Sequence, residues 1–400
     1  MNKSSYSLQW SKLVSLTLSH FTVDMYGGML AAILPVIRSR FGLSLTMAVG
    51  LITLLNIVCN LTQIFTGPLR AQKTTPVLVN IGLVLGSVIC FLSMVPASDL
   101  SFMWLCLMVM VVGVGVAFVH PEGLRAVHEL DKIPSAVSTA FFMNGGFLGF
   151  SGGALLSAIL VQRFGLEGIY FLLILPAAAI VAIWILRVDL AVEDSVAGVD
   201  SKAVAMNVPF RFLFFMAVPV ATSSTIIAAL LPTCLNELGF ELDFGALPMT
   251  LFGIGGCFGA LFWASVASKK GELICCVFAS FLCIPFLLVH FIFMRYSYSI
   301  WALLPAGFCA VAAFSLIVSM ARRGGVKRLG NRMGVIIGGV WGVANIVLLA
   351  VGPIAEKFGV RTVINISWLG YLVAGILGLY ALRKTNAVVC KPTVVLAEQV

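Results

Sequence analysis

Apolar stretches of about 20 residues recur along the whole chain and alternate with short polar segments. An α-helix of about 20 residues is as long as the hydrocarbon core of a membrane is thick, roughly 30 Å. A membrane β-barrel would instead show segments of about 10 residues with alternating polarity. The pattern predicts an all-α membrane protein with twelve transmembrane helices, at residues 11–37, 43–69, 75–95, 101–129, 133–162, 168–188, 208–236, 243–267, 272–293, 298–321, 332–356 and 361–382.

The longest polar insertion divides these twelve spans into two equal sets. It covers residues 189–207, is rich in acidic, serine and small residues, and lies between spans six and seven. A short repeat supports the division, since "RFGL" at 163–166 follows span five and "KFGV" at 357–360 follows span eleven, an offset of 194 residues. We therefore predict an N-terminal six-helix bundle at 1–188, a cytoplasmic linker at 189–207 and a C-terminal six-helix bundle at 208–400.

The charge distribution predicts the orientation of the chain. The net charge is +9, but when Lys and Arg are assigned to alternate sides of the spans, 19 of the 25 fall on the side of both termini. The positive-inside rule then places both termini in the cytoplasm. The basic loop at 322–332 is expected to anchor this topology, with binding of anionic lipid headgroups as the alternative. Membrane lipids are expected partners of the protein, and no nucleic acid is needed to explain the charge.

Several ionisable side chains fall inside the apolar spans. His20 and Asp24 lie in span one, and His120, Glu122 and Arg125 lie in span four. A charged group facing lipid costs about 2.5–3.5 kcal/mol even on lenient scales, so these groups must face protein or a water-filled cavity. His20 and Asp24 are four residues apart and Glu122 and Arg125 three apart, so each pair can touch along one helical face.

Two interpretations of these groups stay open. They can be static ion pairs that lock helices together, or they can bind and release a proton. In the second hypothesis Asp24 or Glu122 carries the proton, His20 and His120 tune it, and Arg125 is a counter-ion or an anchor for an anionic substrate.

Uncharged polar residues mark a candidate substrate path. Asn56, Asn60 and Gln63 follow one another at spacings of four and three and form a polar stripe on span two. Asn144 in span five and the hydroxyl run at 222–225 are weaker examples. Hydrogen bonding between helices is the alternative to substrate binding for all of them.

Other motifs argue against metal, cofactor and enzyme chemistry. The sequence has no GxxxxGK[ST] loop, the motif that binds nucleotide phosphates. If the protein moves a solute against its gradient, the energy would therefore have to come from an ion gradient. "HELDK" at 128–132 has Lys132 where a zinc helix needs its second histidine, and the ten cysteines form no CxxC pair. The glycine-rich segment 144–153 in span five indicates close helix packing instead of a phosphate loop.

Three segments resemble the fosmidomycin-resistance branch of the major facilitator superfamily. They are "SHFTVDM" at 19–25, "HPEGLRA" at 120–126 and "NGGFLG" at 144–149. The resemblance implies two six-helix bundles and secondary transport, with export of drugs or small molecules in exchange for protons, and it extends to His20, Asp24, His120, Glu122 and Arg125. One departure is that Ala71 occupies the acid position of the family's loop between spans two and three, which puts the family's gating contacts in doubt here.

We therefore expect a monomeric, proton-coupled transporter of the plasma membrane, or of the inner membrane of a Gram-negative bacterium. It would export a small organic solute or drug by alternating access and antiport. The first alternative is proton-coupled uptake of a small anionic or polar metabolite, which Arg125 and the polar stripe would serve equally well. A non-transporting receptor and a lipid translocator are further alternatives.

Overall fold

The computed structural model describes residues 3–70, 72–191, 208–322, 332 and 334–389. The regular elements in these ranges are helices. By span, they are Lys3–Ala32 with Leu34–Phe41 (one), Leu45–Leu69 (two), Val77–Ser87 with Val88–Met94 (three), Ser101–His128 (four), Ser135–Phe164 (five), Gly165–Leu173 with Ile174–Leu186 (six), Phe210–Glu237 (seven), Leu242–Lys270 (eight), Glu272–Ile292 (nine), Ser297–Ala302 with Leu303–Arg322 (ten), Gly334–Gly339 with Val340–Phe358 (eleven) and Val360–Ile366 with Leu369–Val389 (twelve).

Length and apolarity alone select ten membrane-spanning stretches among the described residues, or eleven when a bent pair counts as one span. The bent pair is span one, whose two helices meet at 58° next to Pro35, since proline removes a backbone donor. One of the ten, Val137–Leu186, is 50 residues long, which is more than twice what a membrane needs. The helix breaks at Gly165, whose φ is +69°, so this stretch forms spans five and six. The predicted twelve-helix fold is confirmed.

The ends of two spans differ from the prediction. Span one begins at Lys3 instead of residue 11, and span twelve continues to Val389 instead of ending at residue 382. Hydropathy detects only the part of a helix that lies in hydrocarbon, whereas backbone hydrogen bonding continues into the polar region. We call the membrane side that holds these two helix ends the terminal side, and the opposite side the far side.

Each half of the chain packs mainly against itself. Spans one and five form the most extensive contact of the first half, and spans eight and ten that of the second. Between the halves, span five packs against span eight, span two against span eleven, and span one against span seven. Spans one, two and five of the first half correspond to spans seven, eight and eleven of the second. The contact of span five with span eight is therefore equivalent to that of span eleven with span two, as expected of two repeats. Most of the predicted linker, residues 192–207, lies outside the described residues, so the domain boundaries stay a prediction.

The glycine-rich segment lets span five approach span one at backbone distance. A Cβ built at Gly149 would lie 2.1 Å from the carbonyl oxygen of Phe21, and one at Gly28 would lie 1.8 Å from that of Phe150. Both distances are far below van der Waals contact, so only glycine fits at these positions. The close packing expected from the sequence is confirmed, and it holds the polar face of span one against span five.

Candidate functional site

Three ionisable side chains meet near the middle of the first half. Nε2 of His20 lies 3.2 Å from Oδ2 of Asp24, and Nε2 of His120 lies 3.2 Å from Oδ1 of the same carboxylate. We call these residues the His–Asp–His cluster. It joins span one to span four and brings together His20, Asp24 and His120, as the sequence suggested.

The surroundings fix both imidazole rings. Nδ1 of His20 donates to the carbonyl oxygen of Phe142 at 2.8 Å, and Nδ1 of His120 donates to that of Val116 at 2.8 Å. The ring of His20 also stacks on Phe142, with 4.2 Å between centroids. Because a carbonyl oxygen only accepts, Nδ1 carries hydrogen in both rings and Nε2 of both points to Asp24.

Span five leaves room for the cluster at Gly146. A Cβ there would lie 2.4 Å from Oδ2 of Asp24 and 2.5 Å from Nε2 of His20. Any larger residue would displace one of the two side chains, so the position requires glycine for a reason separate from helix packing.

Asp24 also lines a cavity of about 300 Å³ between the two halves. Its walls are mainly apolar and aromatic, with uncharged polar groups from both halves, and the Asp24 side chain is 22% exposed there. The lining includes Gly27, Ala31, Ile52, Asn56, Asn60, Phe147, Phe150, Ser224, Thr225, Phe252, Phe314, Trp341 and Asn345. Among the described residues, this lining includes no lysine and no arginine.

Glu122 lies away from this cavity and has a different set of partners. Its side chain, 2% exposed, forms an ion pair with Arg70, and Oε2 accepts the backbone N–H groups of Leu78 and Val79 at 2.8 and 3.2 Å. Those N–H groups belong to the first turn of span three, where a carboxylate satisfies free donors and the helix dipole. The expected Glu122–Arg125 pair is wrong, because the loop after span two places Arg70 beside Glu122 instead.

Arg125 forms hydrogen bonds to the backbone of two loops at the terminal side. It donates to the carbonyl oxygens of Arg70 at 2.7 Å, Lys73 at 2.8 Å and Ala191 at 2.7 Å. It therefore ties the loop between spans two and three to the start of the predicted linker. Arg125 is not among the residues lining the cavity, and its planar fork fits several carbonyl oxygens at once. The substrate-binding role of Arg125 stays a prediction.

The residues of the predicted substrate path also fall into two groups, one that lines the cavity and one that does not. Asn56 and Asn60 line the cavity. Gln63, one turn further along span two, donates to Sγ of Cys59 at 3.1 Å. Gln63 and Asn144 are not among the lining residues of the described chain.

Sequence reasoning found only part of the second half's contribution to the cavity, since Ser224 and Thr225 of the predicted hydroxyl run line it but other lining residues were missed. Asn345 and Trp341 lie one turn apart on span eleven, and Phe252 and Phe314 lie on spans eight and ten. Asn345 is an amide inside an otherwise apolar span, so the criterion that selected Asn56 would have found it. The aromatic residues could not be recognised as cavity-lining from the sequence, because phenylalanine also occurs on lipid-facing helix surfaces.

The cluster also offers three atoms of the kind that bind metals, within 4.8 Å of one another. Structural zinc sites use four protein ligands. Both N–O separations here are hydrogen-bond distances, so each contact is attractive when one hydrogen lies between its nitrogen and oxygen atoms.

Polar contacts between described residues join the halves at the far side. Nη1 of Arg38 lies 3.7 Å from Oε1 of Glu237. Glu356 of span eleven accepts the backbone N–H of Thr46 at the start of span two, at 3.1 Å, and also the Thr46 hydroxyl. Reciprocally, Oε1 of Gln162 on span five accepts the backbone N–H of Asp243 at the start of span eight, at 2.9 Å. We call the last two contacts the reciprocal caps.

Comparisons with known proteins agree with this fold. A curated relative, the fosmidomycin resistance protein of Escherichia coli (strain K12), is 24% identical over 371 residues, which cover 88% of each chain. The fold is similar to that of a bacterial homologue of the human lysosomal transporter Spinster in an inward-facing and occupied conformation, with a TM-score of 0.71, 15% identity and coverage of 93% of this chain and 96% of that one. It is also similar to the nucleoside transporter NupG, with a TM-score of 0.68, 12% identity and coverage of 94% and 99%.

The family model of the Major Facilitator Superfamily matches residues 16–348. That range contains the His–Asp–His cluster, the cavity wall of both halves and eleven of the twelve spans in whole or in part. The chain is therefore a multi-pass membrane protein that belongs to the Major Facilitator Superfamily of transporters.

Proposed function

We propose that this protein is a proton-coupled transporter that exports a small organic solute by alternating access. The observation that carries the proposal is the position of Asp24, which lines the cavity between the halves while two imidazole rings hold its carboxylate. A carboxylate that both a solute and protons can reach is what exchange requires.

The hydrogen-bond geometry supports proton binding at the cluster. Since Nδ1 of both rings donates to a carbonyl oxygen, each Nε2–Oδ contact needs one further hydrogen, on nitrogen or on oxygen, to be attractive. The cluster with both hydrogens has a net charge of +1. Release of one proton makes it neutral and leaves one Nε2–Oδ contact without hydrogen.

The contact to His120 is the one we expect to lose its hydrogen. The His120 side chain is 26% exposed, whereas that of His20 is 2% exposed and stacked on Phe142. Opening this contact frees Oδ1 of Asp24 toward the cavity. The proton and the solute then compete for one oxygen atom, which is a direct way to couple their movements.

Export is favoured over uptake of an anionic metabolite. Arg125 was the residue that favoured an anion, and its guanidinium donates to loop carbonyl oxygens outside the cavity. The curated relative is named for fosmidomycin resistance, which is compatible with removal of a compound from the cell. We place the chain in the plasma membrane with the terminal side facing the cytoplasm, because that side carries most of the positive charge.

The proposal is tested with purified protein in liposomes that contain the pH-sensitive dye pyranine. A solute panel, with fosmidomycin as its first member, is added outside, and the change in internal pH is followed. We expect at least one solute to drive a pH change with the wild type and none to do so with Asp24→Asn.

Glu122→Gln is the matched control, since it replaces the other buried carboxylate of this half by its amide. We expect the Glu122→Gln protein that remains folded to keep solute-driven proton movement. Wild-type proton movement in Asp24→Asn would refute the proposal, and so would the absence of a pH change with every solute that the wild type is shown to carry by counterflow.

A further inference from the structure

Two cavity-lining residues of the second half each carry a buried side-chain oxygen atom without a hydrogen-bond partner. These atoms are Oδ1 of Asn345, a residue 3% exposed, and Oγ1 of Thr225, a residue 8% exposed. The amide nitrogen of Asn345 donates to the carbonyl oxygen of Trp341 at 2.9 Å, which fixes Oδ1 as the free acceptor. Buried polar atoms without a partner are rare in folded proteins, so a donor from a bound molecule is expected here.

The charges of the cavity indicate the sign of that molecule. Asp24 contributes a carboxylate, and the described lining contains no lysine or arginine. The positive charge that balances this carboxylate lies on the imidazole rings of His20 and His120. The nearby imidazole rings direct Nε2 to Asp24 and Nδ1 to carbonyl oxygens, so they present no free donor to an anion. Cys59 on span two is a further titratable group near this carboxylate, and it adds no positive charge.

The aromatic wall favours the same class of ligand. Phe314 and Trp341 form a tilted pair with 5.2 Å between ring centroids, and Phe147, Phe150 and Phe252 complete the apolar surface. Ring faces carry partial negative charge and attract cations, tryptophan most strongly. The wall therefore suits an apolar body attached to a positive group.

We propose that the cavity binds amphipathic organic ammonium compounds, molecules with an aromatic or alkyl body and a charged N–H group. The N–H hydrogens bind Asp24, Asn345 and Thr225, and the apolar body lies against the aromatic wall. The inference deepens the proposed function, on which it rests, by naming the substrate class and by adding Asn345 and Thr225 as specificity residues.

The test measures binding in detergent micelles, without any gradient, by isothermal titration calorimetry. Three probes that share a phenyl ring on a four-carbon chain are compared: 4-phenylbutylamine, which is an ammonium ion at neutral pH; its N,N,N-trimethyl derivative, which keeps the charge without an N–H; and 4-phenylbutyrate, which reverses the charge. We expect the amine to bind about tenfold or more tightly than the carboxylate. The trimethyl derivative should bind about fivefold more weakly than the amine, because it cannot donate to the free acceptors.

Single substitutions test whether Asn345 and Thr225 accept the hydrogen bonds of the amine. Asn345→Leu should weaken amine binding about fivefold and leave binding of the trimethyl derivative unchanged. Thr225→Val keeps the side-chain shape and should also weaken amine binding. This variant replaces Asn345→Leu in the test if Asn345→Leu does not fold. Asn80→Leu is the matched control, because Asn80 also donates to a carbonyl one turn earlier and also has an unpartnered Oδ1, but it lies outside the cavity lining.

Equal or tighter binding of 4-phenylbutyrate overturns the proposal, as does failure of the amine to bind the wild type. Equal weakening by Asn345→Leu and Asn80→Leu overturns the assignment of the acceptor. These results are independent of the liposome assay. Amine binding without solute-driven proton movement would refute proton coupling but not the ligand class. Preferred binding of the carboxylate together with proton movement would refute the ligand class but not proton coupling.

Discussion

At the scale of single residues, two carboxylates that look alike in the sequence have different environments. Asp24 is held by two imidazole rings at the cavity, whereas Glu122 is held by a guanidinium and two backbone N–H groups at a helix end. The spacing of four residues was enough to predict the His20–Asp24 contact. It was not enough for Glu122, since Arg70 is 52 residues away in the chain and no local spacing indicates such a partner.

Glu122 should therefore contribute mainly to stability. Glu122→Ala leaves Arg70 without its ion pair and the first turn of span three without its acceptor. We expect a loss of about 3 kcal/mol in the free energy of unfolding, measured as a lower midpoint of thermal unfolding in detergent. Glu129→Ala, at an exposed position at the end of the same helix, should change the midpoint little, and equal effects of the two variants would contradict this role.

At the scale of helices, the contact between spans one and five positions the site. The regular spacing of Gly145, Gly149 and Gly153 was enough to predict close packing, but not which helix would be the partner. The lengths of the spans followed from hydropathy except where helix continues beyond the hydrocarbon, as at the ends of spans one and twelve. The aromatic cavity wall could not be predicted, because the pattern of a single helix does not say whether phenylalanine faces lipid or the other half.

One glycine in this contact should affect function more than packing. In Gly146→Ala the added methyl group would overlap Asp24 and His20, so we expect the cluster to separate and solute-driven proton movement to fall about tenfold or more. Gly152→Ala is the control on the same helix, since a Cβ there meets its nearest neighbour, a ring atom of Phe21, at 4.0 Å.

Both variants are compared in the liposome assay, with thermal unfolding as the check on folding. Proton movement at the wild-type rate in Gly146→Ala would show that the cluster tolerates the methyl group. Equal loss in both variants would point to helix packing as the cause.

At the scale of the whole molecule, the two halves meet through equivalent spans and close the far side with polar contacts. A covalent link there should hold it closed. A Cβ built at Gly352 lies 3.5 Å from Cβ of Val49, which is within the range for a disulfide bond. We expect the V49C/G352C pair to cross-link under mild oxidation, to stop transport, and to regain it on reduction.

The single variants V49C and G352C provide the controls, since they carry the same substitutions without the cross-link. Undiminished transport in the fully cross-linked protein would contradict movement of spans two and eleven at the far side.

The reciprocal caps have a consequence for how the protein is made. Gln162 and Glu356 lie 194 positions apart, the same offset as the short repeat, but their partners enter the membrane at very different moments of translation. Asp243 follows Gln162 by 81 residues, so the acceptor for span eight already exists when that helix is inserted. Thr46 precedes Glu356 by 310 residues, so span two has no acceptor from span eleven until span eleven has itself been synthesised. The start of span two, although synthesised early, thus gains its cap only after the acceptor for span eight has long been present.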